Sequence, residues 1–258
     1  MTTPIALTIA GSDPSGGAGI QADLKTFHQL GAYGEAVVSL LTVQNSRSLA
    51  RVECLAPELV LQQIDALLDD MPPAAAKTGA LGSFELIEAL GTAAAGWNFP
   101  LVVDPILLAK HGANLAPANA ASAFLTHLVP HATLLMPNLP EAEALCGFPV
   151  DSPATMERAA RTLSGLGADS VLIKGGHLAG DPLDLLLHEG RVHRFPSTRI
   201  STPHTHGTGC TYSAAITAYL AKGVPLPEAV EQAHAFVHRA IASNPGLGRG
   251  SGPLNHWA

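Results

Sequence analysis

The segment His206-Gly207-Thr208-Gly209-Cys210 combines small residues with a reactive side chain just before an apolar stretch, Tyr212–Leu220. Small residues let a backbone approach an anion closely, and the start of a helix offers unpaired N–H groups at the positive end of its dipole. The pattern therefore favours binding of a phosphate, or of developing negative charge, by Gly207, Thr208 and Gly209. A glycine-rich helix cap without a ligand is the alternative for this pattern taken alone.

Cys210 would lie on the first turn of that helix. The dipole and the N–H donors of a helix start favour a thiolate and lower the pKa of a thiol. A thiolate here could take a proton from a substrate hydroxyl as a general base, whereas a thiol could donate a hydrogen bond. A small buried cysteine that packs against the sheet is the alternative.

Charged side chains follow three of the predicted strands. Lys174 precedes Gly175-Gly176 at one strand end, where a lysine can reach phosphate oxygens as a point charge. Asp104 ends another strand, and Asn138 and Glu141 lie three residues apart at the start of a helix. Two carboxylates with waters and phosphates suit Mg²⁺. The alternatives are a solvent-exposed lysine and an acid that complements the helix dipole.

The opening segment, residues 11–23, is rich in glycine but lacks the GK[ST] of a Walker A motif and does not read GxGxxG. Its glycines could cover a small ligand. Asp23 offers an acceptor and Gln44 an amide, a pair that suits a heterocycle with amino and ring-nitrogen groups. Either side chain alone also suits a helix cap or a turn.

A zinc site is a second interpretation of residues 204–210. His204, His206 and Cys210 are ligand types at short spacing. The glycines between them are more useful for binding phosphate, and no carboxylate lies nearby in the sequence. The zinc interpretation is therefore the less favoured one.

The elements that must position these residues alternate along the chain. Apolar runs of strand length separated by helices are typical of a parallel sheet that is covered on both faces. We therefore predict an α/β fold, a single domain over residues 1–258 with a central, mostly parallel sheet and helices on both faces. Strands are predicted at 5–10, 36–43, 74–77, 101–104, 133–136 and 171–174, a hairpin at 183–196, and helices at 20–30, 59–68, 83–95, 117–129, 153–166, 209–221 and 227–243.

In such a sheet, ligands bind outside the carboxyl ends of the strands, where the strand order reverses. Polar and glycine-rich residues follow the predicted strands at 11–13, 44–45, 78–79, 104–105, 137–138 and 174–176. The sequence therefore predicts a ligand site along one rim of the sheet.

Composition excludes several other classes of protein. The 258 residues are 47% hydrophobic and 14% charged, which is far from a disordered composition. The net charge of −7 and the lack of any Lys/Arg run argue against nucleic-acid and anionic-membrane partners. Apolar runs fall short of the ~18 residues of a membrane span, and the N-terminus lacks the basic start of a signal peptide. Three cysteines without a CxxC pair fit a reducing compartment, so we predict a cytoplasmic protein.

Taken in order, these motifs resemble the hydroxymethylpyrimidine/phosphomethylpyrimidine kinases of thiamine biosynthesis, in the ribokinase-like superfamily. The matching segments are TIAGSDPSGGAGIQADLKTF, LLTVQNS, AKTGALGS, VVDPILLAKHG, MPNLPEAEAL, VLIKGGH, THGTGCTYSAA and GPLNHW. The resemblance implies a mostly parallel sheet flanked by helices. It also implies ATP-dependent phosphorylation of 4-amino-5-hydroxymethyl-2-methylpyrimidine, and then of its monophosphate to give the pyrophosphate.

The resemblance also assigns roles to individual residues. For the pyrimidine it implies Gly11, Asp23, Gln44, Ala80 and Ile106, with Lys110 as a further contact for the monophosphate. For ATP it implies Lys174, Asn138, Thr205 and Gly209, and for Mg²⁺ it implies Glu141 and Asp104. Gly207, Thr208 and Gly209 would form the anion hole, with Cys210 beside the reacting hydroxyl.

Two departures from the family pattern affect the predicted pyrimidine pocket. Ala80 stands where relatives often carry methionine, so the pocket is expected to be roomier. His111 stands where a small residue is common, beside Lys110. The departure at Ala80 favours a pyridoxal kinase of the same fold as an alternative. Two further alternatives are a non-catalytic pyrimidine- or nucleotide-sensing module and a His/Cys zinc hydrolase. A homodimer is compatible with the resemblance.

Overall fold

The computed structural model describes residues 3–107 and 119–258. Its strands are β1 (Ile5–Ser12), β2 (Tyr33–Gln44), β3 (Leu49–Cys54), β4 (Ala75–Thr78), β5 (Leu101–Val103), β6 (Leu134–Leu135), β7 (Ser170–Ile173), β8 (Leu183–His188) and β9 (Arg191–Pro196). Its helices are α1 (Gly19–Gln29), α2 (Pro57–Asp70), α3 (Phe84–Ala94), α4 (Ala120–Ala123), α5 (Leu139–Cys146), α6 (Pro153–Gly165), α7 (Thr208–Ala221) and α8 (Leu226–Ala242). A π-helical turn (Phe124–Leu128) and a 3₁₀ turn (Val129–His131) follow α4.

The described strands form one sheet in the order β3-β2-β1-β4-β5-β6-β7-β8-β9. Pairing is parallel from β2 through β7. It is antiparallel at both edges, between β2 and β3 and across β7, β8 and β9. The predicted α/β fold with a central, mostly parallel sheet is confirmed.

Alternate residues of the central strands pack against two different layers of helices. In β7, Val171 and Ile173 join the larger apolar cluster, which includes residues of α2, α3 and α6. Leu172 between them faces the opposite layer, with residues of α7 and α8. Because both faces are covered, the strands read as continuous apolar runs rather than alternating ones. The prediction of helices on both faces is confirmed.

The strand order reverses beside β1, which pairs with β2 on one side and with β4 on the other. A crevice opens at such a point outside the carboxyl ends of the two diverging strands. The residues that follow β1 and β4 therefore border the place where a ligand is expected.

Most of the predicted elements are found, with local differences. The hairpin of β8 and β9 turns at Glu189 and Gly190, whose φ angles of 48° and 75° are those of a turn with two left-handed residues. The helical stretch predicted near 117–129 is helical from residue 120, where α4, the π-helical turn and the 3₁₀ turn follow one another without a break. The edge strand β3 was not predicted, because its largely exposed residues form no apolar run.

Within residues 3–107 and 119–258, every helix is too short or too polar to span a membrane. The extent of the predicted single domain, residues 1–258, stays a prediction.

Candidate active site

A cleft of about 1160 Å³ runs along the carboxyl ends of the parallel strands. It is lined by most of the predicted site residues: Gly11, Gln44, Ala80, Asp104, Ile106, Asn138, Glu141, Lys174, Thr205, Gly207, Thr208, Gly209 and Cys210. Asp23 is not among its lining residues. Lys110 and His111 lie outside the described residues, so the expectations for them are not addressed by the structure.

Residues 205–210, here called the anion turn, lead into α7. Gly207 is the residue before the helix and has a left-handed backbone, with φ at 81°. A Cβ on Gly207 would collide with the carbonyl oxygen of Gly17, so this position requires glycine. The Thr208 hydroxyl donates to the Thr205 carbonyl at 2.8 Å and closes the turn. First-turn amides of a helix lack intrahelical acceptors, so the anion turn is a source of N–H donors, although the Thr208 N–H also donates to the Thr205 carbonyl at 3.4 Å.

Cys210 lies in the cleft wall with 9% of its surface exposed. Burial raises the pKa of its thiol to about 11, although the nearby Lys77 ammonium and a hydrogen bond from the Gly19 backbone act in the opposite direction. The prediction that the helix start lowers this pKa is therefore wrong, because desolvation of the thiolate outweighs the favourable groups. At neutral pH, Cys210 is a thiol that can donate a hydrogen bond.

Lys174 brings the ends of β5 and β7 to the anion turn. Its Nζ lies 2.5 Å from Oδ1 of Asp104 and 3.9 Å from Oε2 of Glu141, with 13% of the lysine side chain exposed. A Cβ on Gly209 would lie 3.4 Å from Asp104 Oδ2 and 3.5 Å from Lys174 Nζ. The cation therefore stands directly beside the helix start that was predicted to bind phosphate.

Asn138 and Glu141 form a capping box at the start of α5. The Asn138 side chain accepts from the Glu141 N–H at 3.0 Å, and the Glu141 carboxylate accepts from the Asn138 N–H at 2.8 Å. Burial raises the pKa of Glu141 to about 7, helped by the nearby Asp104 carboxylate and opposed by Lys174. The Asp104 and Glu141 carboxylates together offer more negative charge than the single Lys174 ammonium neutralises.

This excess of carboxylate charge fits Mg²⁺, which takes few protein carboxylates and completes its shell with waters and phosphates. The fit involves Asp104 and Glu141 alone. Among the residues that the structure describes, no three His, Cys, Asp or Glu side chains are grouped as a metal site made wholly of protein ligands would require.

His206, one of the predicted zinc ligands, has a different partner. His206 Nε2 lies 2.8 Å from Oδ2 of Asp13, and both side chains are buried. The His206 imidazole is thus held by a carboxylate of the glycine-rich loop rather than turned toward Cys210 and His204 as a ligand set. The structure contradicts the zinc interpretation of these residues.

Asp23, which was predicted to bind the pyrimidine, has two buried partners inside the protein. Its side chain is fully buried, accepts from the Thr8 hydroxyl at 2.7 Å and pairs with Lys77 Nζ at 2.8 Å. Asp23 is absent from the residues that line the cleft, while its Oδ1 is buried without a hydrogen-bond partner among the described residues, and its role toward the pyrimidine stays a prediction. Lys77 was missed as a partner, although a lysine that ends an otherwise apolar run of strand length indicates a buried charge that needs one.

The side of the cleft where the pyrimidine is predicted to bind is lined by small side chains and closely spaced backbone segments. Ala80 and Gly11 face each other, since a Cβ on Gly11 would lie 3.7 Å from that of Ala80. The Ala80 carbonyl accepts from the Ser39 hydroxyl at 2.6 Å, which fixes the segment that follows β4. Gln44 and Ile106 complete this side.

The far side of the cleft contains residues that sequence reasoning did not identify. They come from the segment after β9 and from α8: Ser197, Thr198, Arg199, Val237, His238 and Ile241. Arg199 donates to the carbonyls of Gly180 at 2.7 Å, Leu178 at 2.7 Å and Gly176 at 3.2 Å, and so fixes the loop that follows Lys174. These contacts join segments about twenty residues apart, which no local pattern reveals.

Known proteins resemble this chain over nearly its whole length. A family model described as phosphomethylpyrimidine kinase matches residues 13–255. The hydroxymethylpyrimidine/phosphomethylpyrimidine kinase of Haemophilus influenzae is 44% identical over 98% of this chain and 96% of its own length. The thiamine biosynthesis bifunctional protein ThiED of Geobacter sulfurreducens is 48% identical over 97% of this chain, which spans only 51% of that longer protein.

Among solved structures, the ADP complex of Bacillus subtilis pyridoxal kinase superposes with a TM-score of 0.91 at 35% identity. The match covers 99% of this chain and 98% of that one. The predicted ribokinase-like fold is thus confirmed. With a family match over most of its length and relatives well above 40% identity, the chain belongs to the phosphomethylpyrimidine kinase family.

Proposed function

We propose that this chain transfers the γ-phosphoryl group of ATP to the hydroxymethyl oxygen of 4-amino-5-hydroxymethyl-2-methylpyrimidine, and then phosphorylates the monophosphate to the pyrophosphate. The observation that carries the proposal is the meeting of Lys174, Asp104 and Gly209 in one cleft with the pyrimidine-side residues Gln44 and Ile106. The names of the relatives, including one assigned to thiamine biosynthesis, support the same activity.

Phosphoryl transfer needs positioning and charge stabilisation more than covalent help from the protein. Lys174 would neutralise the phosphates of ATP, which Asn138 and Thr205 border. The amides of Gly207, Thr208 and Gly209 would meet the migrating phosphoryl group, as donors fixed before the reaction begins. The Cys210 thiol would donate a hydrogen bond to the acceptor oxygen and orient it for in-line attack. As the new O–P bond forms and the bond to ADP breaks, the hydroxyl proton would pass to an oxygen of the transferred phosphoryl group.

Asp104 and Glu141 are the residues that would hold Mg²⁺. The ion would supply neutralisation of the charge on the β- and γ-phosphates when bound. Lys174 already lies between these carboxylates, so the three side chains together present one cationic and two anionic groups to the nucleotide.

On the acceptor side, Gln44 and Gly11 would hold the pyrimidine ring against Ile106 and Ala80. Lys110 is proposed to hold the monophosphate in the second step. The cytoplasmic location and the homodimer stay predictions, and the pyrimidine and ATP are the proposed small-molecule partners.

A pyridoxal kinase activity is the second candidate, supported by the match to the Bacillus subtilis pyridoxal kinase and by Ala80 in place of a longer side chain. An ATP-coupled assay against the pyrimidine alcohol, its monophosphate and pyridoxal separates the candidates. We expect turnover of the first two, with kcat/KM for the pyrimidine alcohol above that for pyridoxal. The reverse ranking would establish the pyridoxal activity instead, and binding of the pyrimidine without turnover of any acceptor would indicate a sensing module.

A further inference from the structure

A buried contact between an aspartate and a histidine joins the two glycine-rich segments of the cleft. Asp13 belongs to residues 11–19, here called the glycine loop, and His206 belongs to the anion turn. Their Oδ2 and Nε2 atoms lie 2.8 Å apart, with the aspartate side chain 1% and the histidine side chain 9% exposed. Neither residue has been given a role in binding or chemistry above.

The Asp13 carboxylate organises the glycine loop around itself. Oδ1 accepts from the Ser15 N–H at 2.8 Å, while Oδ2 accepts from the Ser15 hydroxyl and the Ala18 N–H, each at 2.9 Å. Burial alone would raise the pKa of Asp13, but the hydrogen bonds from His206 and Ser15 outweigh burial and leave this pKa below its ordinary value. The carboxylate is thus fully used by three loop donors and one imidazole.

His206 is fixed from its other sides as well. The backbone N–H of His206 donates to the Gly252 carbonyl at 3.0 Å, and His206 forms an isolated parallel β-bridge with Pro253. The C-terminal segment therefore supports the backbone of the anion turn. The next residue, Gly207, is pressed against the Gly17 carbonyl oxygen with no space for a Cβ.

We propose that Asp13 and His206 form a positioning pair that fixes the anion turn against the glycine loop. The proposal rests on the proposed function of the anion turn in phosphoryl transfer. The imidazole donates its Nε2–H to Asp13 and thereby sets the direction of the backbone that enters Gly207. The amides that follow are then aimed at the transferred phosphoryl group before ATP and acceptor arrive.

The expected consequence is a loss of turnover without loss of acceptor binding. A displacement of about 1 Å of groups that meet the transition state can cost ~10²-fold in rate. Gln44 and Ala80, proposed to contact the pyrimidine, belong to neither the glycine loop nor the anion turn, so substitutions at His206 should leave the affinity for the acceptor unchanged.

Three variants at His206 separate a hydrogen bond from the imidazole itself. His206→Gln keeps an N–H donor at about the position of Nε2, whereas His206→Leu has a similar size without a donor. His206→Asn is polar but too short to reach Asp13, and it replaces His206→Leu as the informative variant should the leucine variant fail to fold. Asp13→Asn removes the negative charge of the other partner and replaces one of its two acceptor oxygens with an NH₂ donor.

Steady-state kinetics should show kcat lowered about 10²-fold in His206→Leu, His206→Asn and Asp13→Asn. KM for the pyrimidine alcohol should stay within about twofold of the parent enzyme in the two His206 variants, whereas Asp13→Asn also disturbs the glycine loop that contains Gly11. His206→Gln should stay within about fivefold in kcat. Equal losses in the glutamine and leucine variants would overturn the proposal, and so would a change in the acceptor KM of His206→Leu or His206→Asn as large as the change in kcat.

Hydrogen–deuterium exchange of the anion-turn amides gives a readout that does not depend on activity. Exchange at residues 207–210 should become faster in His206→Leu, His206→Asn and Asp13→Asn and stay near the parent rate in His206→Gln. If the parent enzyme turns over no acceptor, the proposed function fails while this measurement still decides on the positioning pair. Unchanged exchange in all four variants would overturn the pair alone.

Discussion

Two lysine–aspartate pairs lie near the centre of the molecule and differ in one respect, their access to solvent. Lys77 and Asp23 approach to 2.8 Å with both side chains fully buried. Lys174 and Asp104 approach to 2.5 Å, with 13% of the lysine side chain exposed in the cleft wall. The same two residue types thus form one sealed pair and one open pair.

The difference follows from position relative to a strand end. Lys77 is the third residue of β4, so its side chain emerges within the sheet and meets Asp23 of α1. Lys174 comes just after β7, at the rim where parallel strands end and ligands bind. We infer that a lysine inside a parallel strand serves the fold, whereas a lysine just beyond the strand end is available for chemistry.

Removing the sealed cation should cost the most. Lys77→Met leaves the Asp23 carboxylate buried and unpaired, and breaking a buried pair in this way typically costs about 3–5 kcal/mol. Urea unfolding of the variant should therefore give a free energy of unfolding lower by that amount. The double variant Lys77→Met/Asp23→Leu should recover most of the loss, because no isolated charge remains.

This prediction would break the comparison if it failed in either of two ways. A single variant as stable as the parent would mean that water or rearrangement compensates Asp23. A double variant no more stable than the single one would mean that packing at Lys77, rather than charge, stabilises this part of the fold.

Removing the open cation should instead affect activity. Lys174→Ala removes a positive charge that would face the phosphates, and loss of one such electrostatic group typically lowers the rate by about 10²–10³-fold. We expect kcat/KM for ATP to fall by that factor while the free energy of unfolding changes far less than in Lys77→Met. Unchanged ATP dependence in Lys174→Ala would remove its assignment to the nucleotide.

Cys210 lies between the sealed pair and the open pair. Its substitution therefore shows whether a residue at this position serves the fold or the chemistry. Its sulfur interacts with Lys77 behind the wall, while its side chain lines the cleft. Cys210→Ala removes the thiol donor and should lower kcat about 10²-fold while pyrimidine binding is retained. Titration calorimetry with the pyrimidine alcohol provides the binding control. Full activity of the alanine variant would exclude a catalytic role for the thiol.

Glu141, a neighbour of the open pair, should also make the enzyme sensitive to pH, because burial raises the pKa of its carboxyl group to about 7. The folded state then binds a proton that the unfolded state has released, so stability should fall as pH rises from about 4.5 to about 7 and then level off. Turnover should rise through the same upper range, as the proposed Mg²⁺ ligand ionises. Glu141→Gln should flatten both profiles, and a stability profile unchanged by this substitution would contradict the raised pKa.

The sequence predicts the open pair better than the sealed one, for a physical reason. Lys174, Asn138 and Glu141 follow apolar runs, so local patterning alone brings them to the rim. The sealing of Asp23 depends on Lys77, which is 54 residues away in the chain. The pKa of Cys210 likewise depends on how much protein covers it, whereas its position at a helix start could be read directly.

The contacts of Arg199 on the far side of the cleft likewise could not be predicted from the sequence. Helix α8 was predicted as an element and the segment after β9 was not, and no pattern in the sequence shows that Arg199 donates to carbonyls around residue 178. Such contacts depend on how the hairpin of β8 and β9 folds back on the sheet. A helix or strand can be predicted from the local sequence, whereas the segments that it contacts in the fold cannot.

An exposed pair on α6 extends the comparison to its smallest expected effect. Arg161 and Glu157 approach to 2.9 Å at the spacing of one helical turn, with 52% and 32% of their side chains exposed. Surface pairs of this kind contribute about 0.3–0.5 kcal/mol, because water and salt screen the charges. Arg161→Ala should therefore lower the free energy of urea unfolding by no more than about 0.5 kcal/mol and leave kcat unchanged. High salt should remove even this difference, and a loss as large as that of Lys77→Met would mean that burial does not determine how much these ion pairs stabilise the fold.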